Sequence, residues 1–155
     1  MHGLTLLVKA IVLLVALPAG AQTADPGGAL AEAYQAMRNG DWDRAAELAA
    51  PAGKTGASIV EWTRLRNGNG SFGDYLAFLD DHGDWPGLAL LREKGEEAIT
   101  DAADPTGVVR FFDGRDPETG AGALQLAGAF EALGQDADAE VAVVLAWRTL
   151  MLTPG

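Results

Sequence analysis

Leu30, Ala33, Tyr34 and Met37 recur at i, i+3, i+4 and i+7, the spacing that puts side chains on one face of a helix. Phe72, Tyr75, Leu76 and Leu79 repeat that spacing, and Leu88, Leu91, Gly95 and Ala98 line one side of a further helix. A later stripe runs through Ala123, Leu126, Ala127, Phe130 and Leu133. Shorter stripes are Trp42, Ala45, Ala46 and Ala49, then Ile59, Trp62 and Leu65, then Val108, Phe111 and Phe112. No segment alternates apolar and polar residues between hairpin turns, so no strand is expected.

Cap and stop residues place the boundaries of eight helices. The first spans about 28–39. Asp41 caps the second and Pro51 stops it. Ser58 opens the third, with Glu61 three residues on in a capping-box pattern. His82-Gly83 closes the fourth, and the fifth starts with Asp84 as cap and Pro86 in its first turn. The sixth runs from Asp104-Pro105 to Asp113-Gly114; Thr119 caps the seventh, which ends at Gly134, and the eighth follows from Asp136.

The joints repeat. Gly40-Asp41-Trp42 and Gly83-Asp84-Trp85 are identical, and Gly134-Gln135-Asp136 is a degraded third copy. A glycine that ends one helix, a polar cap and an aromatic that begins the next make a helix-hairpin joint. The expected fold is therefore all-α, with stacked helix hairpins forming an α-superhelix. Its joints are irregular and wider apart than the roughly 34 residues of a tetratricopeptide array.

The eighth helix, Val141-Ala-Val-Val-Leu-Ala-Trp147 followed by Leu150 and Met151, is apolar nearly all round and needs cover on more than one side. A terminal solenoid helix should instead turn a polar face outward. Two sources of cover for Val144, Trp147 and Met151 are open: another chain, or a further domain of a longer protein of which this chain is the front part. The second is the expectation.

The N-terminus reads differently from the rest. Lys9 precedes the apolar run Ala10–Leu17, Pro18 breaks it, and Ala19-Gly20-Ala21 supplies small residues for cleavage. Residues 1–21 read as a secretory signal peptide; an uncleaved anchor is the alternative, but the run is short of the ~20 residues a spanning helix needs. Residues 22–155 then form the helical domain, exported to the periplasm. Cysteine is absent, so no disulfide framework supports it. The formal net charge is −11, and removing the leader takes away Lys9 and no acid. Such acidity argues against nucleic acid and anionic lipid as partners.

Three stretches carry a family resemblance: DHGDWPGLALLREKGEEAI (Asp81–Ile99), VVRFFDGRDPETGAGALQLAGAFEALG (Val108–Gly134) and VAVVLAWRTL (Val141–Leu150). Together they resemble the N-terminal region of soluble lytic murein transglycosylases. The resemblance implies a ring-like helical superstructure that positions a separate lysozyme-like domain on peptidoglycan glycan strands. In that family a glutamate of the catalytic domain, in a Glu-Ser motif, protonates the glycosidic oxygen and yields a 1,6-anhydro product. This chain has neither a Glu-Ser dipeptide nor a Gly-Leu-Met-Gln segment, so no catalytic residue is assigned. The expected function is a non-catalytic scaffold in cell-wall turnover, without cofactor or metal. The alternative is an independent periplasmic helical-repeat scaffold that binds a protein.

Individual candidates reduce to structural roles. Glu61 beside Trp62 is a carboxylate next to an aromatic, but it also fits the third helix's cap. Glu93, Glu96 and Glu97, with Arg92 and Lys94, read as a solvated helix face. His82 lies among Asp80, Asp81 and Asp84, yet the spacing fails as a calcium loop. Gly53-Lys54-Thr55 lacks the rest of a phosphate loop. Trp42, Trp62 and Trp147 lie on apolar stripes and are expected in the core, while Trp85 is open between core and sugar stacking.

Overall fold

Short polar side chains start most of the α-helices among the described residues. Asp25, Asp41, Asp104 and Thr119 each stand in non-helical backbone and accept a main-chain N–H at 3.1, 3.1, 2.9 and 2.9 Å respectively. Each satisfies an amide that the first helical turn leaves without an internal partner. In the computed structural model, which describes residues 25–152, the order is α1 (Pro26–Arg38), α2 (Trp42–Ala49), a 3-10 turn (Ala50–Ala52), α3 (Gly53–Arg66), α4 (Phe72–Asp81), α5 (Leu88–Glu97), α6 (Pro105–Phe112), α7 (Gly120–Ala132) and α8 (Asp136–Leu152). Among the described residues there is no strand, and the fold is all-α. The leader at residues 1–21 and the side chain of Met151 lie outside what is described.

Two boundaries differ from expectation. α3 begins at Gly53, not at Ser58, and has no side-chain cap. The chain reaches it through the 3-10 turn around Pro51, with Gly53 at φ 64°. Ser58 therefore sits inside α3, and the capping box lies one helix later: Ser71 N donates to Asp74 Oδ2 at 2.9 Å and Asp74 N to Ser71 Oγ at 3.4 Å. α5 begins at Leu88 behind Gly87, which is left-handed at φ 69°, and neither Asp84 nor Pro86 belongs to the helix.

The second Gly-Asp-Trp joint consequently does not copy the first. Gly40 turns at φ 73°, Asp41 caps, and Trp42 begins α2. Gly83 takes no positive φ, and Trp85 drops into a ring cluster instead of opening a helix. Burial of a large aromatic outweighs a local capping preference worth about 1 kcal/mol.

The core has two parts. Ala33, Ala36, Met37, Ala45, Ala49 and Val60 form a small-residue cluster among α1, α2 and α3. Alanine on these faces lets the helices approach closely; Ala46, expected on the same stripe, is exposed. The larger cluster holds Leu65, Tyr75, Phe78, Leu91, Ile99, Val108, Phe111, Phe112 and Leu126 and continues into Ala142 of α8. Tyr75 is fully buried and donates its hydroxyl to the Leu65 carbonyl at 2.9 Å, so its polar end is satisfied at the C-terminus of α3. No helix among the described residues is long and apolar enough to cross a membrane.

Gly95 of α5 is a tightly packed point of the larger core. A Cβ there would stand 2.6 and 2.8 Å from two carbons of the Phe111 ring and 3.2 Å from Tyr75 Cγ. Gly128 on α7 has nothing within 4 Å of its Cβ position and is exposed. Gly95→Ala is expected to lower unfolding free energy by about 1–3 kcal/mol through overpacking. Gly128→Ala, which only improves helix propensity, should raise it by about 1 kcal/mol. Urea denaturation of the two variants beside the parent checks both signs.

Candidate functional site

The densest polar and aromatic constellation lies where α3 faces the end of α4. His82, the C-cap of α4, packs its ring 4.6 Å from Phe78 and 4.8 Å from Trp85. Trp85 also meets Phe78 at 5.5 Å and Trp62 at 6.2 Å, both edge-on. Trp62 Nε1 donates to the Pro86 carbonyl at 3.2 Å, and the Arg66 guanidinium lies 4.5 Å from a Trp62 ring centre. Together these contacts hold the Gly83–Gly87 loop against α3. Trp85, left open by the sequence, is thus the hub of an aromatic cluster.

A shallow cleft of ≈ 280 Å³ runs beside this cluster, lined by Ser58, Glu61, Asp74, Phe78, Asp81 and His82 among others. Ser58 Oγ and His82 Nε2 are 3.1 Å apart. That separation suits a nucleophile and its base. Ser58 is in the middle of α3, however, where main-chain N–H groups bond along the helix instead of converging on an oxyanion. The pair ties α3 to the end of α4.

Glu61 is an ion-pair member. Arg64 reaches it with two donors, Nε at 2.8 Å and Nη2 at 2.7 Å, and reaches Asp74 at 3.0 Å. Arg64 Nη1 also bonds the Asn69 carbonyl. Arg64's donation to Glu61, against the opposing effect of burial, keeps the guanidinium firmly protonated. At Asp74 burial pushes the carboxyl up, but the Ser71 amide, Arg64 and the Ser71 hydroxyl outweigh it and the net shift is downward. Arg64 therefore joins the body of α3 to the first turn of α4. Glu61 is thereby committed to an ion pair.

Glu96 corrects the expectation of a solvated face on α5. It is 3 % exposed, whereas Glu93 and Glu97 lie near Lys94 at 3.9 and 2.8 Å. Its Oε1 accepts from Glu118 N at 2.7 Å; its Oε2 accepts from Thr119 N at 2.8 Å and Thr119 Oγ1 at 2.6 Å. Thr119 Oγ1 in turn accepts from Gly122 N. One carboxylate thus anchors the start of α7 to α5. Gly122 leaves the space for it, since a Cβ there would overlap the carboxyl group. Burial pushes the Glu96 carboxyl above the ordinary range; the Thr119 hydroxyl and the two amides oppose the shift without cancelling it, and the neighbouring Glu118 adds to it.

The remaining candidates separate. Asp80 pairs with Arg110 at 3.5 Å, away from His82, and among the described residues no group of three or more His, Cys, Asp or Glu side chains could hold a metal ion. Gly53, Lys54 and Thr55 form the exposed first turn of α3. Trp42 and Trp62 pack partly buried against the two cores. Trp147 is 62 % exposed, which overturns its expected place in the core: the buried face of α8 is Ala139, Ala142 and Ala146. Val141 and Val144 stand with Trp147 on the outer face, 60 % and 50 % exposed. No family model, curated protein or solved structure matches the chain.

The raised Glu96 carboxyl gives a signed pH dependence. The folded state binds this proton more tightly than the unfolded state, so this group adds stability as pH falls from neutral toward the ordinary Glu value of 4.5. Glu96→Gln sets an amide NH₂ among three donors and should cost about 1–3 kcal/mol. The gap between parent and variant should widen on acidification. Chemical denaturation of both proteins across that range checks it, and a narrowing gap would reverse the sign assigned to Glu96.

Proposed function

We propose that the chain is a non-catalytic helical scaffold in cell-wall turnover, the superhelical N-terminal region of a periplasmic lytic transglycosylase. The observation that carries this reading is the combined resemblance of the segments Asp81–Ile99, Val108–Gly134 and Val141–Leu150. The helical composition of the chain is compatible with it, as is the pairing of Glu61 with Arg64. In this reading residues 1–21 direct export, the helix pairs curve as an irregular tetratricopeptide-like superhelix, and a catalytic domain sits on the outer face of α8. The scaffold's task is to present that domain to glycan strands and exclude misfitting substrates.

A second reading draws support from charge. Peptidoglycan stem peptides carry carboxylates, and a chain at −11 does not attract them. An independent periplasmic scaffold that binds a protein accounts for the exposed apolar residues of α8 without any glycan contact.

Purified cell-wall sacculi separate the two. Under the first reading the protein co-sediments with sacculi and releases no anhydro-muropeptides on chromatographic analysis of the supernatant. Failure to sediment would favour the protein-binding scaffold, and release of anhydro-muropeptides would contradict both.

A further inference from the structure

The outer face of α8 has the chemistry of a specific docking surface. Val141, Val144 and Trp147 follow one another at three-residue intervals, opposite the alanines that face the core. Val144 borders two depressions. One, an open groove of ≈ 830 Å³, is lined by Glu131, Asp136, Ala139, Glu140, Val143 and Val144. The other, ≈ 290 Å³, is lined by Ala137, Glu140, Val141, Val144, Leu145 and Arg148. Carboxylates thus rim the apolar floor at Glu131, Asp136 and Glu140, against the single cation Arg148.

We infer that this face receives an amphipathic helix of another protein or domain, with an apolar stripe flanked by lysine or arginine. Grooves beside an exposed helical ridge accept the side-chain stripe of a helix. Strand addition has no counterpart here, since the described chain offers no sheet edge to extend. The acidic rim selects the sign of the flanks, because like charges brought together at an interface repel. The same argument disfavours a second copy of this chain, which would bring Glu131, Asp136 and Glu140 against themselves. Trp147 is the natural anchor, as large aromatics dominate interface energies. The inference deepens the readings above, which both use the α8 face, but it rests on that face alone, so it and sacculus binding can fail separately.

Two synthetic helical peptides without tryptophan test it. They share one leucine stripe and carry either lysine or glutamate on the flanks. Each is titrated into the purified protein by calorimetry, with tryptophan emission as a second readout. The lysine peptide should bind at least about 10-fold more tightly than the glutamate peptide and weaken as salt screens the rim. Val144→Asp and Trp147→Ala alter exposed positions; each should reduce binding about 10-fold or more while circular dichroism stays unchanged. Glu140→Lys should shrink the preference between the peptides. The inference is overturned if neither peptide binds, if both bind equally, or if Val144→Asp leaves binding intact. It is also overturned if light scattering shows a dimer that Val144→Asp dissociates, which would make a second copy the occupant. Adsorption to phosphatidylcholine vesicles in preference to the lysine peptide would make the face a lipid contact and likewise count against it.

Discussion

The Glu96 carboxylate is the interaction on which the C-terminal half depends. α7 enters the fold through the Glu118–Thr119 backbone, and both amides there end on this one side chain. α8 then packs along α7, so its placement inherits the position of that anchor. Placing a carboxylate in the interior is costly unless its oxygens are well satisfied. Two amides and a hydroxyl satisfy these oxygens at short range, and Gly122, whose missing Cβ makes room for the carboxyl group, lets α7 come close enough for them to do so. Arg64 has the corresponding role further forward, gathering Glu61, Asp74 and the Asn69 carbonyl at the turn between α3 and α4. Each device joins segments with a buried or half-buried charge whose hydrogen bonds are largely filled, which fixes geometry more than it adds stability.

Much of the helical content was legible because it rests on local signals. The apolar spacing in α1, α4 and α7 and the caps Asp41, Asp104 and Thr119 act within a few residues, and no distant partner is needed to read them. The boundaries that misread are those where tertiary packing prevailed. Ser58 and Glu61 have the spacing of a capping box, but their partners, His82 and Arg64, come from a neighbouring helix and from the next turn. The chain enters α3 with no cap at all, so no residue advertised its start. Asp84 and Pro86 looked like a helix entry, but the pull of Phe78, His82 and Trp62 on Trp85 displaced it to Gly87.

The functional surfaces were less legible. Glu96 lies in a run of charged residues that reads as solvated, and its donors are more than twenty positions away. Gly122 makes room for that carboxyl group, but its value appears only when α5 and α7 are brought together. For α8 the apolar residues on all sides were evident, but which of them faced inward was not. Alanines took the inner face because α7 lies close, and the bulkier Val141, Val144 and Trp147 were left outside.

α3 contributes Val60 to the small-residue core and Leu65 to the aromatic one, so a single rod belongs to both. Between them Thr63 donates its hydroxyl to the Ile59 carbonyl at 2.8 Å. A threonine that bonds back along its own helix competes for the main-chain acceptor and tends to curve the axis at that point. That hydroxyl thus acts on α3 between the two clusters the helix joins. Evolution could change the bend of α3 there while leaving the rings and methyl groups on either side in place.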